Sequence, residues 1–428
     1  MIKVITDVLW STAIILLIGG GFYFTIKLGC PQLKFKRMFN GLKNDNKQEI
    51  SPYKSLTMSL AARIGVGSLA GIALAIYIGG PGTIFWIWIT SIITSVNSFC
   101  ESYMGAKYQE KDGIAYNGGP AFYIDKGLKN KKLAKTYALL IIIAYVVGFM
   151  TIQSNTITKS LQEYLSLSPL LIGIILALIS GYIIFKGLDK IVSTTSKMVP
   201  VMGCAYLITS LVIIILNIDL LPDILKLIIA SAFNIKASTT GVLSTFIIGI
   251  QRGIFSTEAG LGSGSIASST SNAKNKIGLG LVQILGIYFT SFIICTSTAF
   301  IILMSDYTNI SFTDINGIEL TQYALNYHLG DFGIIFLIFS IISFAFSTII
   351  AGYYYGESNL KYLVKNINKN HLKIFKIITV LLLIFGSITS PTLLWSIVDI
   401  LVACLAIINM YSLIKMRKEI ILDYKRKK

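Results

Sequence analysis

Long hydrophobic stretches, each about the length of a membrane-spanning helix, alternate along this chain with short polar segments. A helix needs about 20 residues to cross the roughly 30 Å of hydrocarbon in a bilayer. The pattern predicts eleven spans, at residues 7–27, 57–80, 83–105, 136–157, 168–186, 198–217, 239–262, 277–304, 332–356, 373–389 and 392–414. We therefore expect an all-α integral membrane protein that forms one transmembrane domain over residues 1–428.

Two glycine-rich stretches, residues 62–71 and 253–263, interrupt spans that would otherwise be continuous. Backbone N–H and C=O groups freed inside a bilayer need protein, water, an ion or a substrate as partners. Two such breaks in corresponding halves of a chain indicate the binding site of a transporter. The alternative is that the glycines only let helices pack closely. The polar residues Ser68, Ser256, Thr257 and Glu258 at the breaks favour binding.

The positions of the two breaks predict an inverted repeat. If the span at 7–27 is set aside, ten spans remain, and the breaks fall in the first and the sixth of them. Five is odd, so the halves at 57–217 and 239–414 would insert with opposite topology around a pocket near the midplane. Residues 7–27 would then be an extra N-terminal helix. A signal peptide is the alternative for that segment, but little basic sequence precedes it and no small-residue cleavage site follows.

Basic residues set the expected orientation. Lysine and arginine number 37 against 20 acidic residues, a formal charge of +17, which in a soluble protein would suggest a nucleic-acid partner. Here the basic residues cluster in alternate loops, and such loops lie in the cytoplasm. The loop at 305–331 contains four acidic residues and no lysine or arginine, as an external loop would. We expect an external N-terminus, a cytoplasmic C-terminus and no nucleic-acid partner.

The same glycine-rich segments resemble the alanine or glycine:cation symporter family. The similarity rests on the motifs at residues 65–71, 79–82 with Phe85 and Trp86, 118–120 with Tyr123 and Ile124, 255–263, and 354–357. The resemblance implies a sodium-coupled importer of small neutral amino acids in the cell membrane. It also implies the fold first seen in the bacterial leucine transporter (a LeuT-type five-plus-five repeat), with one additional N-terminal helix.

Candidate substrate contacts follow from the breaks and from the resemblance. Gly65 and Gly67 would let the backbone come close to a ligand. Ser68 offers a hydroxyl at the break, although a serine in such a place can bond only to its own helix. The resemblance adds Gln153, for which an interhelical hydrogen bond is the alternative. The whole predicted substrate set is Gly65, Gly67, Ser68, Gln153, Phe255, Ser256, Thr348 and Gly352.

A sodium site is implied by analogy with the second sodium site of the same fold. The carbonyls of Ala61 and Ile64 would face the hydroxyls of Ser347 and Thr348, with Ser68 as a further candidate ligand. Oxygen ligands of this kind suit hard cations. Two adjacent hydroxyls in the apolar run 344–350 favour a functional role over packing.

Two positions depart from the family pattern. Ser68 stands where the family usually has asparagine, and Gly352 stands where it has a tryptophan four positions after a threonine. Shorter side chains would then line the site. We expect room for a ligand larger than alanine, unless Tyr353 or another aromatic residue refills the space.

Charged residues inside spans are costly and face a cavity or a partner. Arg63 and Glu101 are a candidate inner gate or a structural ion pair, whereas Glu258 could cap freed N–H groups or hold an arginine. Arg252 and Asp399 also lie within spans. The five cysteines are scattered and suggest neither a disulfide framework nor a metal site.

Catalysis is not expected, because no nucleotide loop, metal cluster or activated nucleophile appears and both histidines, His328 and His371, are predicted in loops. A proton-coupled carrier of the same fold, and a channel or non-transporting sensor, remain the alternatives to sodium-coupled transport.

Overall fold

The fold is almost entirely helical. It is known from a computed structural model, which describes residues 2–43, 50–112, 115–233, 241–309, 317–364 and 366–426. Helices satisfy their own backbone hydrogen bonds and so suit an apolar surrounding. The helices are α1 (Ile2–Leu28), α2 (Phe35–Asn40), α3 (Pro52–Arg63), α4 (Ile72–Gly79), α5 (Thr83–Lys107), α6 (Pro120–Lys126), α7 (Lys131–Ile142), α8 (Met150–Leu165), α9 (Pro169–Phe185), α10 (Leu188–Leu216), α11 (Leu221–Phe233), α12 (Val242–Thr257), α13 (Ser263–Ser268), α14 (Lys276–Tyr288), α15 (Thr296–Leu303), α16 (Ile318–Leu329), α17 (Asp331–Leu363), α18 (Lys369–Ile388), α19 (Pro391–Lys415) and α20 (Arg417–Arg426).

Within the described residues, eight helices are long and apolar enough to cross a membrane. A ninth span results if α3 and the segment Gly67–Gly79, which meet at a bend of 55°, are counted together. The shorter apolar helices α9 and α12 occupy the other two predicted positions. The many long apolar helices agree with the predicted class, whereas the count of eleven and the inverted repeat remain predictions.

Several element boundaries differ from the sequence prediction. Helix α10 begins ten residues before the predicted start at 198 and continues through Pro200. Helices α11 and α16 form where only loops were expected, because each has an apolar side that packs on the bundle; Ile318, Leu320 and Leu325 of α16 are buried. The expectation that both histidines lie in loops is wrong: His328 is in α16, and His371 is in the first turn of α18.

Three segments have the wider turns of a π-helix: Gly67–Gly71, Ile143–Phe149 and Phe289–Cys295. Short π segments inside α-helices often occur at functional sites. The first follows the break after α3. The second joins α7 to α8, and the third joins α14 to α15.

A small antiparallel hairpin lies between α5 and α6. Its strands are β1 (Glu110–Asp112) and β2 (Ala115–Asn117), and Glu110 pairs with Asn117 while Asp112 pairs with Ala115. These two strands form the one sheet seen in the described part of the chain.

Candidate functional site

The first break opens the backbone between α3 and the π segment at Gly67–Gly71. Helix α3 ends at Arg63, and Ile64 has φ −85° and ψ 75°, outside the helical region. The amide side chain of Gln153, on α8, takes up one freed group: its Oε1 accepts a hydrogen bond from the Val66 N–H at 3.0 Å. Gln153 therefore lies at the break and makes the interhelical hydrogen bond that was the alternative to a substrate contact.

The two breaks are joined directly to each other. The Ser256 hydroxyl, near the end of α12, donates to the Gly67 carbonyl at 2.9 Å. The ring of Phe255 lies against Gly67, and a Cβ added to Gly67 would come within 2.7 Å of Cδ1 of that ring. The structure thus brings Gly65, Gly67, Gln153, Phe255 and Ser256 together in one buried region.

The predicted sodium ligands meet at the end of α3. The hydroxyl oxygens of Ser347 and Thr348 lie 3.2 and 2.9 Å from the Ala61 carbonyl oxygen. They also lie 2.9 and 3.0 Å from the Phe344 carbonyl oxygen of their own helix. Thr348 also lies against Gly65. The Ile64 carbonyl makes no hydrogen bond to either hydroxyl in the described part of the chain. Two hydroxyls and a carbonyl already facing one another form a set of hard oxygens of the kind that suits a sodium ion.

Ser68 is buried, and its side chain points back across the break toward the end of α3. Its hydroxyl makes a long hydrogen bond of 3.5 Å to the Arg63 carbonyl. Its carbonyl accepts a hydrogen bond from the Thr298 hydroxyl, on α15, at 2.8 Å. The side chain thus makes the local bond that the sequence left open as an alternative, while its place at the break matches the prediction.

Gly352 faces an aromatic side chain. A Cβ at this position would lie 3.5 Å from Cδ1 of Tyr145, which is ordinary van der Waals contact. The Tyr145 ring stacks on Phe149 with centroids 4.7 Å apart, and Phe149 stacks on Phe255 at 4.9 Å. Part of the space opposite Gly352 is therefore filled by Tyr145, an aromatic residue other than Tyr353.

A buried polar network holds the second break, between α12 and α13. Oε2 of Glu101 accepts hydrogen bonds from the Gly262 N–H at 2.9 Å and from the Asn409 amide at 2.8 Å. The Asn409 amide also donates to the Gly260 carbonyl at 2.8 Å, and the Tyr137 hydroxyl donates to the Leu261 carbonyl at 2.7 Å. Gly260 and Gly262 have φ of 85° and 94°, which glycine adopts readily.

Arg63 and Glu101 do not form the structural ion pair that was one of the two expectations; their role as an inner gate remains a prediction. Both side chains lie near Gly264, yet no ion pair joins them among the residues described. Arg63 donates instead to the Ser98 hydroxyl at 3.0 Å and to Oε1 of Gln283 at 3.3 Å. Oε2 of Glu101 is held at the break by Gly262 and Asn409.

Sequence reasoning missed Asn409, Tyr137, Ser98 and Gln283. The one signal that points to them is their polarity inside apolar spans, where a polar side chain needs a partner.

An ion pair lies one helical turn from Phe255. Nη2 of Arg252, on α12, is 2.8 Å from Oδ2 of Asp399, on α19. The Arg252 guanidinium also lies over the Trp395 ring, 5.0 Å from its centroid, and that ring packs on Phe255 at 4.9 Å. Arg252, Asp399 and Trp395 thus cover Phe255, the residue that lies against Gly67.

The hairpin ties the region after the second break to the far end of α17. Nζ of Lys361, on α17, is 2.8 Å from Oδ2 of Asp112. The Tyr354 hydroxyl, on the same helix, donates to Oδ1 of Asn117 at 3.2 Å. On the other side, the Asn272 amide donates to the Tyr116 hydroxyl at 2.8 Å. The hairpin therefore connects α17 to the segment that follows α13.

Breaking the Asp112–Lys361 pair should loosen the hairpin. Partial burial raises the pKa of Asp112, but the hydrogen bond and charge of Lys361 outweigh it and hold that pKa below its usual value. The attraction is thus present above the ordinary aspartate pKa and is lost as the pH falls through the lower folded value. We expect Asp112→Asn to speed amide hydrogen exchange in β1 and β2 about threefold at neutral pH, since partly exposed pairs contribute about 1 kcal/mol or less.

The matched control is Glu110→Gln on the same strand. Glu110 pairs with Lys126 at 2.7 Å, but both side chains are more exposed, at 55% and 41%. Exchange in the hairpin should hardly change. Equal acceleration by both variants would show that the Lys361 contact has no special role.

Known proteins resemble this chain along its whole length. The model of the sodium:alanine symporter family matches residues 1–428. The amino-acid carrier protein AlsT of Bacillus subtilis is 36% identical over 414 residues, 96% of this chain and 88% of that protein. The probable sodium/glutamine symporter GlnT of Bacillus subtilis is 35% identical over 438 residues, 100% of this chain and 91% of that protein.

Among solved structures, a sodium-coupled sialic acid symporter in a substrate-bound, outward-open state has a TM-score of 0.55 and 11% identity. The match covers 90% of this chain and 81% of that one, and at this identity it shows similarity of fold alone. The family match extends over the whole chain, and the two relatives resemble it along nearly all of its length. This protein accordingly belongs to the sodium:alanine symporter family, and it is a multi-pass membrane transporter that moves an amino acid together with sodium rather than an enzyme.

Proposed function

We propose that this protein imports a small neutral amino acid with sodium by alternating access through the site between the two breaks. The observation that carries the proposal is the meeting of the Ser347 and Thr348 hydroxyls with the Ala61 carbonyl, beside Gly65. Sodium and substrate would then bind in contact with the same segment. An ion that binds there and favours one arrangement of the break would change the affinity for the substrate in the same step.

Sodium would be held by oxygens around the end of α3. Ala61, Ser347 and Thr348 are already in contact, and the carbonyl of Ile64 and the hydroxyl of Ser68 would need small rearrangements to join them. Each hydroxyl has one proton, which it can donate to the Phe344 carbonyl of its own helix, so both hydroxyls would present lone pairs to the ion.

The substrate carboxylate would bind the backbone at Gly65 and Gly67, with Ser68 and Gln153 beside it. Freed N–H groups at the start of a helical segment favour an anionic group. Phe255, Ser256, Thr348 and Gly352 would line the rest of the pocket, as predicted. The relatives' names refer to amino acids and to glutamine, which agrees with a neutral substrate.

We propose the LeuT-type arrangement of eleven spans, with an external N-terminus and a cytoplasmic C-terminus in the plasma membrane. The similarity of fold to a sodium-coupled symporter supports the arrangement. The alternation of basic and acidic loops supports the orientation. In this orientation the Arg252–Asp399 pair would face outside and the hairpin would face the cytoplasm.

The decisive experiment is uptake of labelled alanine into proteoliposomes that contain the purified protein. A sodium gradient at equal pH on both sides should drive accumulation above the external concentration. Accumulation driven by a proton gradient without sodium would favour the proton-coupled alternative. Equilibration without accumulation under either gradient would indicate a channel.

The width of the substrate range should depend on Gly352. We expect wild type to accept side chains larger than that of alanine, and Gly352→Trp to narrow the range to glycine and alanine because the indole would take the space beside Tyr145. Each side-chain methylene that no longer fits in the pocket costs about 0.8 kcal/mol of binding free energy. Inhibition of Gly352→Trp by larger amino acids should therefore be roughly tenfold weaker, or more, than inhibition of wild type.

Gly352→Ala is the control, because its Cβ would make only ordinary contacts with Tyr145 and Met150. Competition of labelled-alanine uptake by a series of neutral amino acids measures all three proteins. Identical profiles for wild type and Gly352→Trp would place residue 352 outside the pocket.

A further inference from the structure

Three buried oxygen atoms near the second break have no hydrogen-bond partner in the described structure. They are the hydroxyls of Tyr145 and Tyr355 and Oε1 of Glu258. Each of these residues is at most 1% exposed. Buried polar atoms nearly always have a partner, so several orphaned atoms in one place need an explanation.

The three atoms come from different parts of the fold and lie in one cluster. Tyr145 is in the π segment Ile143–Phe149, Tyr355 is on α17, and Glu258 ends α12. The two tyrosine rings meet edge to face, with centroids 5.1 Å apart. Glu258 lies beside Tyr145, although no hydrogen bond of ordinary geometry joins them. Its other oxygen, Oε2, accepts a hydrogen bond from the Ser263 hydroxyl at 2.7 Å.

This cluster borders the proposed substrate pocket. Tyr145 faces Gly352 and stacks on Phe149, which in turn stacks on Phe255 beside Gly67. Gly352 and Tyr355 are three residues apart on α17, so they lie on the same side of that helix. The cluster therefore lies beside the part of α17 that would line the substrate pocket.

The backbone at Glu258 supports a functional role. Glu258 has φ 54° and ψ 18°, a left-handed conformation that is unfavourable for a residue with a side chain. Such strain tends to persist where the surroundings require it, often at ligand sites. Here it accompanies a carboxylate with one oxygen bound to Ser263 and the other left free.

We propose that Tyr145, Tyr355 and Glu258 form a subsite for the carboxamide end of a substrate side chain, as in glutamine or asparagine. The inference rests on the proposed function, because it assumes that the substrate binds between the breaks. The chemistry of the cluster matches an amide at both ends: the carboxylate accepts from the NH₂ group, and the tyrosine hydroxyls donate to the amide oxygen.

An apolar side chain of equal size would leave these atoms unpaired, which is how a polar site rejects an analogue that lacks the matching group. The test compares pairs of similar size as competitors of labelled-alanine uptake: glutamine with methionine, and asparagine with leucine. In wild type, the amide member of each pair should inhibit at least about tenfold more strongly. Direct binding to the purified protein, measured by thermal shift with sodium present, should give the same order.

Removing either hydroxyl should reduce that preference. Tyr145→Phe and Tyr355→Phe are each expected to weaken inhibition by the amide about fivefold, a typical effect of one hydrogen bond. Inhibition by methionine or leucine should stay the same. Tyr354→Phe is the matched control on α17, because its hydroxyl already bonds to Asn117 at 3.2 Å. The Tyr354→Phe substitution should change inhibition by all four competitors by the same factor.

The outcomes separate this inference from the function on which it rests. Sodium-driven alanine uptake without any preference for the amides would overturn the subsite and leave the proposed function standing. An equal loss for amide and apolar competitors in a folded tyrosine variant would do the same, because it would show that the cluster only supports the fold. If no neutral amino acid is taken up with sodium, the proposed function fails and the subsite fails with it.

Discussion

Replacing Ser347 and Thr348 together by alanine is expected to weaken sodium-dependent amino-acid uptake and to raise the sodium concentration that it needs. The two hydroxyls converge on the Ala61 carbonyl, and both are buried. A hydrogen-bonding group that interacts with a charge contributes about 1.5–3 kcal/mol, so the loss of two should raise the half-saturating sodium concentration about 100-fold or more. Uptake of labelled alanine measured against sodium concentration gives this number directly.

The control for this variant is Ser340→Ala on the same helix. The Ser340 hydroxyl donates only to the Phe336 carbonyl of its own helix, at 2.8 Å. Removal of this hydroxyl should leave the half-saturating sodium concentration for alanine uptake unchanged. If the double variant inserts normally and its half-saturating sodium concentration is also unchanged, Ser347 and Thr348 do not bind sodium.

Gly67→Leu should abolish substrate binding while leaving the amount of protein in the membrane nearly unchanged. A Cβ at this position would come within 2.7 Å of the Phe255 ring, and the added side chain would occupy the space where the substrate carboxylate is expected. The Gly67 carbonyl, which accepts a hydrogen bond from Ser256, would also be displaced. We expect affinity to fall at least about 100-fold, which corresponds to about 2.7 kcal/mol.

Gly71→Ala is the matched control at the other end of the same π segment. A Cβ there would contact only the Trp395 ring, at 3.9 Å, so binding should change little. Thermal-shift titration with alanine and sodium compares the two variants with wild type. Normal binding by Gly67→Leu would mean that this glycine serves helix packing alone.

The family prediction is confirmed. It could be made from the sequence because the family motifs are short, local stretches that occur at several places along the chain. The helix breaks around residues 65–71 and 255–263 could also be predicted from the sequence, since glycine and serine interrupt apolar runs there. The structure has a bend of 55° at the first of these places and a non-helical segment at the second. The roles of the individual site residues remain predictions.

Contacts between distant residues were less accessible from the sequence. Gln153 and Val66 are 87 positions apart, and Glu101 and Asn409 are 308 positions apart. Arg63 and Glu101 could be expected to pair from their charges alone. In the structure Arg63 donates to Ser98 and Gln283 instead, because helix packing brings these acceptors within reach of its guanidinium.

The sequence by itself determined which segments are apolar helices, where two of them break, and to which family the chain belongs. These properties depend on hydropathy and on backbone preferences over at most about 20 neighbouring residues. Only the tertiary structure decided that Ser256 bonds to Gly67, that Tyr145 fills the space opposite Gly352, and that Glu258 has a free oxygen beside two tyrosines. Helix packing decides these contacts, because polar side chains in an apolar interior bond to whichever partner the neighbouring helices bring within reach.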